Sequence, residues 1–74
     1  MMTADQALRE MAFAKAQAQT PSDILVDCAS EKERDAVSQE GYELLRRGLV
    51  KRVIVDTRAS TWQVAIIFRE QRYP

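Results

Sequence analysis

Five residues near the end of the chain, Val64-Ala65-Ile66-Ile67-Phe68, are apolar without interruption. Successive side chains of an extended segment point to opposite sides, so a strand here is apolar on both sides, as a central strand is. We therefore place the strand 62–69 in the middle of a sheet, which must then find a neighbour on each edge. The segment 49–57 supplies one. Lys51, Val53, Val55 and Thr57 alternate there with Val50, Arg52, Ile54 and Asp56, and the connection Arg58-Ala59-Ser60-Thr61 is short enough for a hairpin. The other neighbour is the β-branched run Ile24-Leu25-Val26-Asp27-Cys28, in a strand 23–28 bounded by Pro21-Ser22 and Ala29-Ser30.

Two helices complete the pattern. Thr3-Ala4-Asp5-Gln6 has the form of a capping box, and the residues after it are strong helix formers without a β-branched interruption, so a helix is expected over 4–19. Ala4, Leu8, Met11, Lys15 and Ala18 fall on one of its faces, flanked by Ala7 and Ala14. Thr20-Pro21 stops it, because proline offers no N–H and restricts the residue before it. Ser30-Glu31-Lys32-Glu33 is a second capping box and opens a helix over 31–47, with Ala36, Val37, Gly41, Leu44 and Leu45 as its apolar stripe. Arg46 and Arg47 suit its last turn and Gly48 its left-handed end. Gly41 costs a helix interior about 1 kcal/mol relative to alanine and is the alternative end point.

A helix between strands one and two and a hairpin between two and three give an α+β domain of order α-β-α-β-β, spanning 1–74. Its three-stranded sheet has spatial order 1-3-2. The expected core is Ile24, Val26, Val37, Leu44, Leu45, Val53, Val55, Val64, Ile66 and Phe68. The opposite side of the sheet then presents Leu25, Ile54, Ala65 and Ile67, rimmed by Asp27, Arg52, Asp56, Gln63 and Arg69. Either this side is an open surface, or the first helix folds over it in a three-layer sandwich.

Composition removes several functions. With 74 residues there is room for one core, and only about 60% of the unfolded surface of so small a domain becomes buried. Histidine is absent and Cys28 is the one cysteine, which excludes an internal disulfide, a cysteine-rich zinc site and any Ser-His or Cys-His nucleophile. No cofactor or metal ligand set is read. Asp27, Glu31, Glu33, Asp35 and Glu40 read as acids that favour a helix start and solvate its outer face, and Cys28 as a small core residue. No catalytic residue is assigned. Without an apolar run long enough for a bilayer or a basic leader, no membrane partner and a cytoplasmic location are expected.

The segment Gln39-Glu40-Gly41-Tyr42-Glu43-Leu44-Leu45, followed by Ile66-Ile67-Phe68-Arg69-Glu70, resembles small uncharacterised βαββ domains of bacteria and phages that carry a Gly-Trp-Glu-Leu helix end and a basic closing strand. Tyr42 stands where those domains have tryptophan, the spacing to the last strand is longer here, and the likeness covers 24–70. It implies a topology and no activity. In size and make-up the chain is also similar to the tiny phage-encoded regulators that bind host RNA polymerase, which implies transcription regulation through a larger protein partner.

The zero net charge hides an uneven distribution: −4 over residues 1–41 and +4 over 42–74. Arg46, Arg47, Lys51, Arg52, Arg58, Arg69 and Arg72, with Tyr73, can form the basic strip that phosphate binding needs. Trp62 and Phe68, however, belong to the core side, away from a stacking platform. The favoured expectation is a non-enzymatic protein-binding module using Leu25, Arg52, Ile54, Ile67 and Arg69, apolar at the centre and polar at the rim. Nucleic-acid binding is the alternative, and a homodimer through the open side or an edge strand is the third reading.

Overall fold

A computed structural model describes residues 1–58 and 62–70. Its elements are α1 (Ala4–Gln17), β1 (Ile24–Cys28), α2 (Glu31–Arg46), β2 (Val50–Val55) and β3 (Trp62–Phe68). The sheet is antiparallel with order β1-β3-β2, so the apolar strand is central as its composition requires. The chain is a small α+β domain. Most of the connection between β2 and β3, expected as a hairpin turn, lies outside the described residues.

Both helices begin on the hydrogen bonds their sequences encode. The Thr3 hydroxyl accepts from the Gln6 N–H while the Gln6 side chain accepts from the Thr3 N–H, satisfying two donors that a helix start leaves unpaired. At α2 the Ser30 hydroxyl accepts from the Glu33 N–H, but the Glu33 carboxylate accepts from Ala29, one residue ahead of the expected partner. α1 stops two residues earlier than expected, with Ala18 left-handed at φ 51° and its N–H donating to the Ala14 carbonyl. α2 runs through Gly41 and stops before Gly48, whose φ of +80° is the left-handed turn that glycine adopts without a Cβ penalty.

Both helices lie on the same side of the sheet. α2 covers β2 and β3, and α1 lies beside it over β1, which excludes the three-layer arrangement. One core results, and its largest fully buried side chains are Met11, Leu44, Ile66, Val26, Val37, Val50 and Val64. The buried face of α1 is Ala4, Ala7, Met11 and Ala14. It is rotated from the expected stripe, because three alanines let the helix approach closely and Met11 fills the remaining depth. Leu8 and Lys15 are only half-buried, and Ala18 is exposed.

Three other expectations for the core change. Leu45 is 38% exposed, since the buried stripe of α2 is Val37, Ser38, Gly41 and Leu44 and Leu45 lies to one side of it. The buried Ser38 hydroxyl is satisfied by donating to the Arg34 carbonyl at 2.7 Å. Val53 and Val55, expected as core, are half-buried at the sheet edge. Val50, which strict alternation puts on the Arg52 side, is fully buried. The register explains it: Val50 pairs with Phe68 and Arg52 with Ile67, leaving Lys51 as the extra residue of a β-bulge. The bulge turns Val50 to the helix side while Arg52, Ile54 and Asp56 keep the other.

Gly41 sets the distance between α2 and the sheet. A Cβ at that position would lie 2.7 Å from Ile66 Cδ1 and 3.1 Å from Val53 Cγ2, so the helix backbone rests close on the strands and an added methyl must displace these side-chain ends. Gly41→Ala should therefore lower the unfolding free energy by about 1 kcal/mol, the overpacking outweighing the gain in helix propensity. Ile66→Val removes the atom that the new Cβ meets, so the double variant should be less destabilised than the sum of the two single changes. Urea unfolding of the four proteins measures this coupling, and strictly additive energies would contradict the close approach.

Candidate docking surface

The side of the sheet away from the helices carries three cross-strand rows. Directly opposed residues of an antiparallel pair share a side of the sheet, and the register places Leu25, Ala65 and Ile54 in the central row. Asp27 and Gln63 form the row toward the β2–β3 connection, where the Asp56 N–H donates to the Gln63 carbonyl. Ile67 and Arg52 form the row at the opposite end, with Arg69 just beyond. Leu25 is 57% and Ile54 47% exposed, both far above the ordinary level for large aliphatic side chains in a strand. Ala65, Ile67 and Gln63 are half-buried, and Arg52, Arg69 and Asp27 are exposed. Four of the five residues expected to bind, Leu25, Arg52, Ile54 and Ile67, thus belong to one side of the sheet, and Arg69 follows directly after the end of β3.

Met1 also reaches this surface, and nothing in the sequence pattern indicated it. The Met2 N–H donates to the Leu25 carbonyl and the Met2 carbonyl accepts from the Asp27 N–H, both at 2.9 Å, as a short parallel bridge along the outer edge of β1. Met1 is thereby carried round the edge, and its sulfur accepts from Gln63 Nε2 at 3.7 Å. With Leu25, Ile54, Ala65, Gln63 and Asp56 it lines a shallow trough of about 490 Å³ that is open along the sheet.

Ion pairing divides the cations into two groups. Arg46 and Arg47 both bind Glu43, at 2.7 and 3.1 Å, and hold its carboxyl below the usual carboxylate range. Arg58 grips Asp56 at 2.7 Å, Arg34 binds Glu31 and Asp35, Arg9 binds Asp5, and Lys15 joins Glu40 across the two helices. Among the described residues, Lys32, Lys51, Arg52 and Arg69 have no carboxylate within ion-pair distance; Lys32 lies in the first turn of α2, and the other three stand at the end of the sheet where β2 begins and β3 ends. The expected basic strip is therefore broken: Arg46, Arg47 and Arg58 are locally compensated, and Arg72 and Tyr73 lie outside the described residues. Trp62 packs against the core and Phe68 is buried in it, so neither offers a stacking face on the open side.

Among the described residues no three His, Cys, Asp or Glu side chains come together so as to hold a metal ion, and no helix is long and apolar enough to cross a membrane. Cys28 sits on the helix side, 6% exposed. Burial pushes its thiol above the ordinary value, and the carboxylates of Glu33 and Asp27 add to the effect, so the neutral thiol is the stable form. Compared with known protein families, characterised proteins and solved structures, the chain shows no significant match.

The Cys28 environment makes a direct prediction. Iodoacetamide should modify the native protein at neutral pH at least about tenfold more slowly than the urea-unfolded chain, because thiolate is the reactive form and native Cys28 is both covered and held protonated. Equal rates would mean that β1 does not pack under the helices as described.

Proposed function

We propose that the chain is a non-enzymatic protein-binding module and that the uncovered side of its sheet docks onto a larger protein. One observation carries this reading: α1 and α2 cover the same side, leaving Leu25 and Ile54 exposed at the centre of the other. Contiguous apolar surface framed by polar groups is the layout of an interface rather than of an inert surface. The partner's chemistry follows from the rim. Lys51, Arg52 and Arg69 make no ion pair among the described residues, and although Asp23 and Glu70 line the same end of the sheet, the three cations suit an apolar patch bordered by carboxylates, with arginine forming paired hydrogen bonds to them. Leu25, Ile54 and Ile67 contribute through desolvation, about 25 cal/mol per Å² of apolar surface removed from water.

A small phage-type regulator acting on a large host assembly fits these features, and RNA polymerase is the first such assembly to test. The same surface gives the nucleic-acid alternative less support, because three of its seven cations are already paired with nearby carboxylates.

The test is binding to purified RNA polymerase, together with affinity capture from a bacterial lysate, for three proteins: the native chain, Ile67→Asp on the open side, and Phe13→Asp on the outer face of α1, where Phe13 is 61% exposed. The native chain and Phe13→Asp should retain the same partner and Ile67→Asp should lose it, with native far-UV circular dichroism in all three. Capture unaffected by Ile67→Asp, or abolished by Phe13→Asp, would place the docking surface elsewhere.

A further inference from the structure

The two edges of the sheet are treated differently. Two outward backbone groups of β1, the Leu25 C=O and the Asp27 N–H, are met by Met2. Those of β2 are not. Asp56 N–H donates to Gln63 and Arg69 N–H to the Leu49 carbonyl, so the alternation of an antiparallel ladder turns the N–H and C=O of Val53 and Val55 away from β3. Among the described residues nothing meets them. A bare edge of this kind is a template for another strand.

The sequence along that edge is self-complementary. Ile54 has Val53 and Val55 on either side, then Arg52 and Asp56, of opposite charge. Two copies of β2 laid antiparallel about Ile54 bring Val53 against Val55 of the second copy and Ile54 against Ile54, and Arg52 against Asp56 twice. Val53 and Val55 then exchange four backbone hydrogen bonds across the dyad. Asp56 already accepts from Arg58 on both carboxylate oxygens, so Arg52 of the second copy adds charge attraction to a carboxylate that is already paired. The bulge at Lys51 lies just outside this stretch and ends it without obstructing it.

An independent feature lies above the same edge. Glu40 marks the flank of α2 that faces α1, through its pair with Lys15 at 3.8 Å. At about 100° per residue, Tyr42 and Leu45 fall about 140° to 160° round the helix from Glu40, on the flank that overhangs the outer edge of β2. Both are exposed, 43% and 38%.

We propose that the occupant of this edge is a second copy of the chain, forming a two-fold dimer with a continuous six-stranded sheet in which Tyr42 and Leu45 of the two α2 helices meet. The dimer also enlarges the open side. Three strands about 4.8 Å apart and about 20 Å long offer roughly 300 Å² of flat area, well below the roughly 800 Å² per partner of a standard interface. Two sheets side by side double it.

Sedimentation equilibrium from about 10 µM to about 1 mM, the span in which small interfaces associate, should show the mass rising from 8.5 kDa toward its double. Leu45→Glu and Arg52→Asp should each weaken association at least about tenfold, and Arg52→Asp mixed with Asp56→Arg should associate again. The Val53 and Val55 amides should gain hydrogen-exchange protection with concentration in the native protein, a readout that needs no variant. A mass of 8.5 kDa throughout, or a dimer that ignores Leu45→Glu and leaves both amides unprotected, would overturn the proposal. Because Ile67 lies on the central strand away from this edge, a monomer that still loses its partner on Ile67→Asp would refute the dimer alone.

Discussion

The absence of a side chain at Gly41 organises this fold. A Cβ there would meet Ile66 Cδ1 at 2.7 Å, so any other residue must push the end of the Ile66 side chain aside. At this distance α2 covers the two strands β2 and β3 with Val37 and Leu44, and the strip over β1 is left for a helix that can come equally close. α1 meets that need with Ala4, Ala7 and Ala14 around Met11. A thin core becomes dense because small residues stand where backbones approach, the condition for native-like packing in a chain of this size.

Placing both helices on one side leaves the other side to the solvent, and the chemistry of that side follows from strand register alone. The pleat puts Leu25, Ala65 and Ile54 in one row, and the bulge at Lys51 resets β2 so that Val50 enters the core while Arg52 and Ile54 stay outside. Charges are then sorted by local pairing. Glu43 and Asp56 take up the arginines nearest to them, whereas Lys51, Arg52 and Arg69 at the far end of the sheet make no such pair among the described residues. The surface is thus apolar in the middle and polarised from end to end.

Much of this was legible in the residues. The uninterrupted Val64–Phe68 run located the central strand, the capping boxes located both helix starts, and Gly48 marked one of two candidate ends of α2, Gly41 being the other. Period-two alternation assigned Leu25, Ile54 and Ile67 to a common side. The remainder depends on tertiary contacts. Val50 and Val53 are both apolar and three residues apart, a spacing that strict alternation cannot place on one side; this was the trace of the bulge, and it reads equally well as a frayed strand start. Whether α1 lay on one side of the sheet or the other could not follow from its own stripe, because an alanine-rich face fits any close-packed surface. The exposure of Leu45 and the bridge of Met2 to β1 likewise arise from where neighbouring elements end.

The central claim is that one side of this sheet is surface and the other is core. Its most direct measurement is the unfolding free energy, in urea at low protein concentration, of Leu25→Lys, Ile54→Lys and Ile66→Ala. Leu25→Lys and Ile54→Lys should each cost about 1 kcal/mol or less, the range of an exposed strand position, whereas Ile66→Ala should cost about 2 to 5 kcal/mol as a buried aliphatic truncation. Open-side changes as costly as Ile66→Ala would show that Leu25 and Ile54 are core, and would contradict the account.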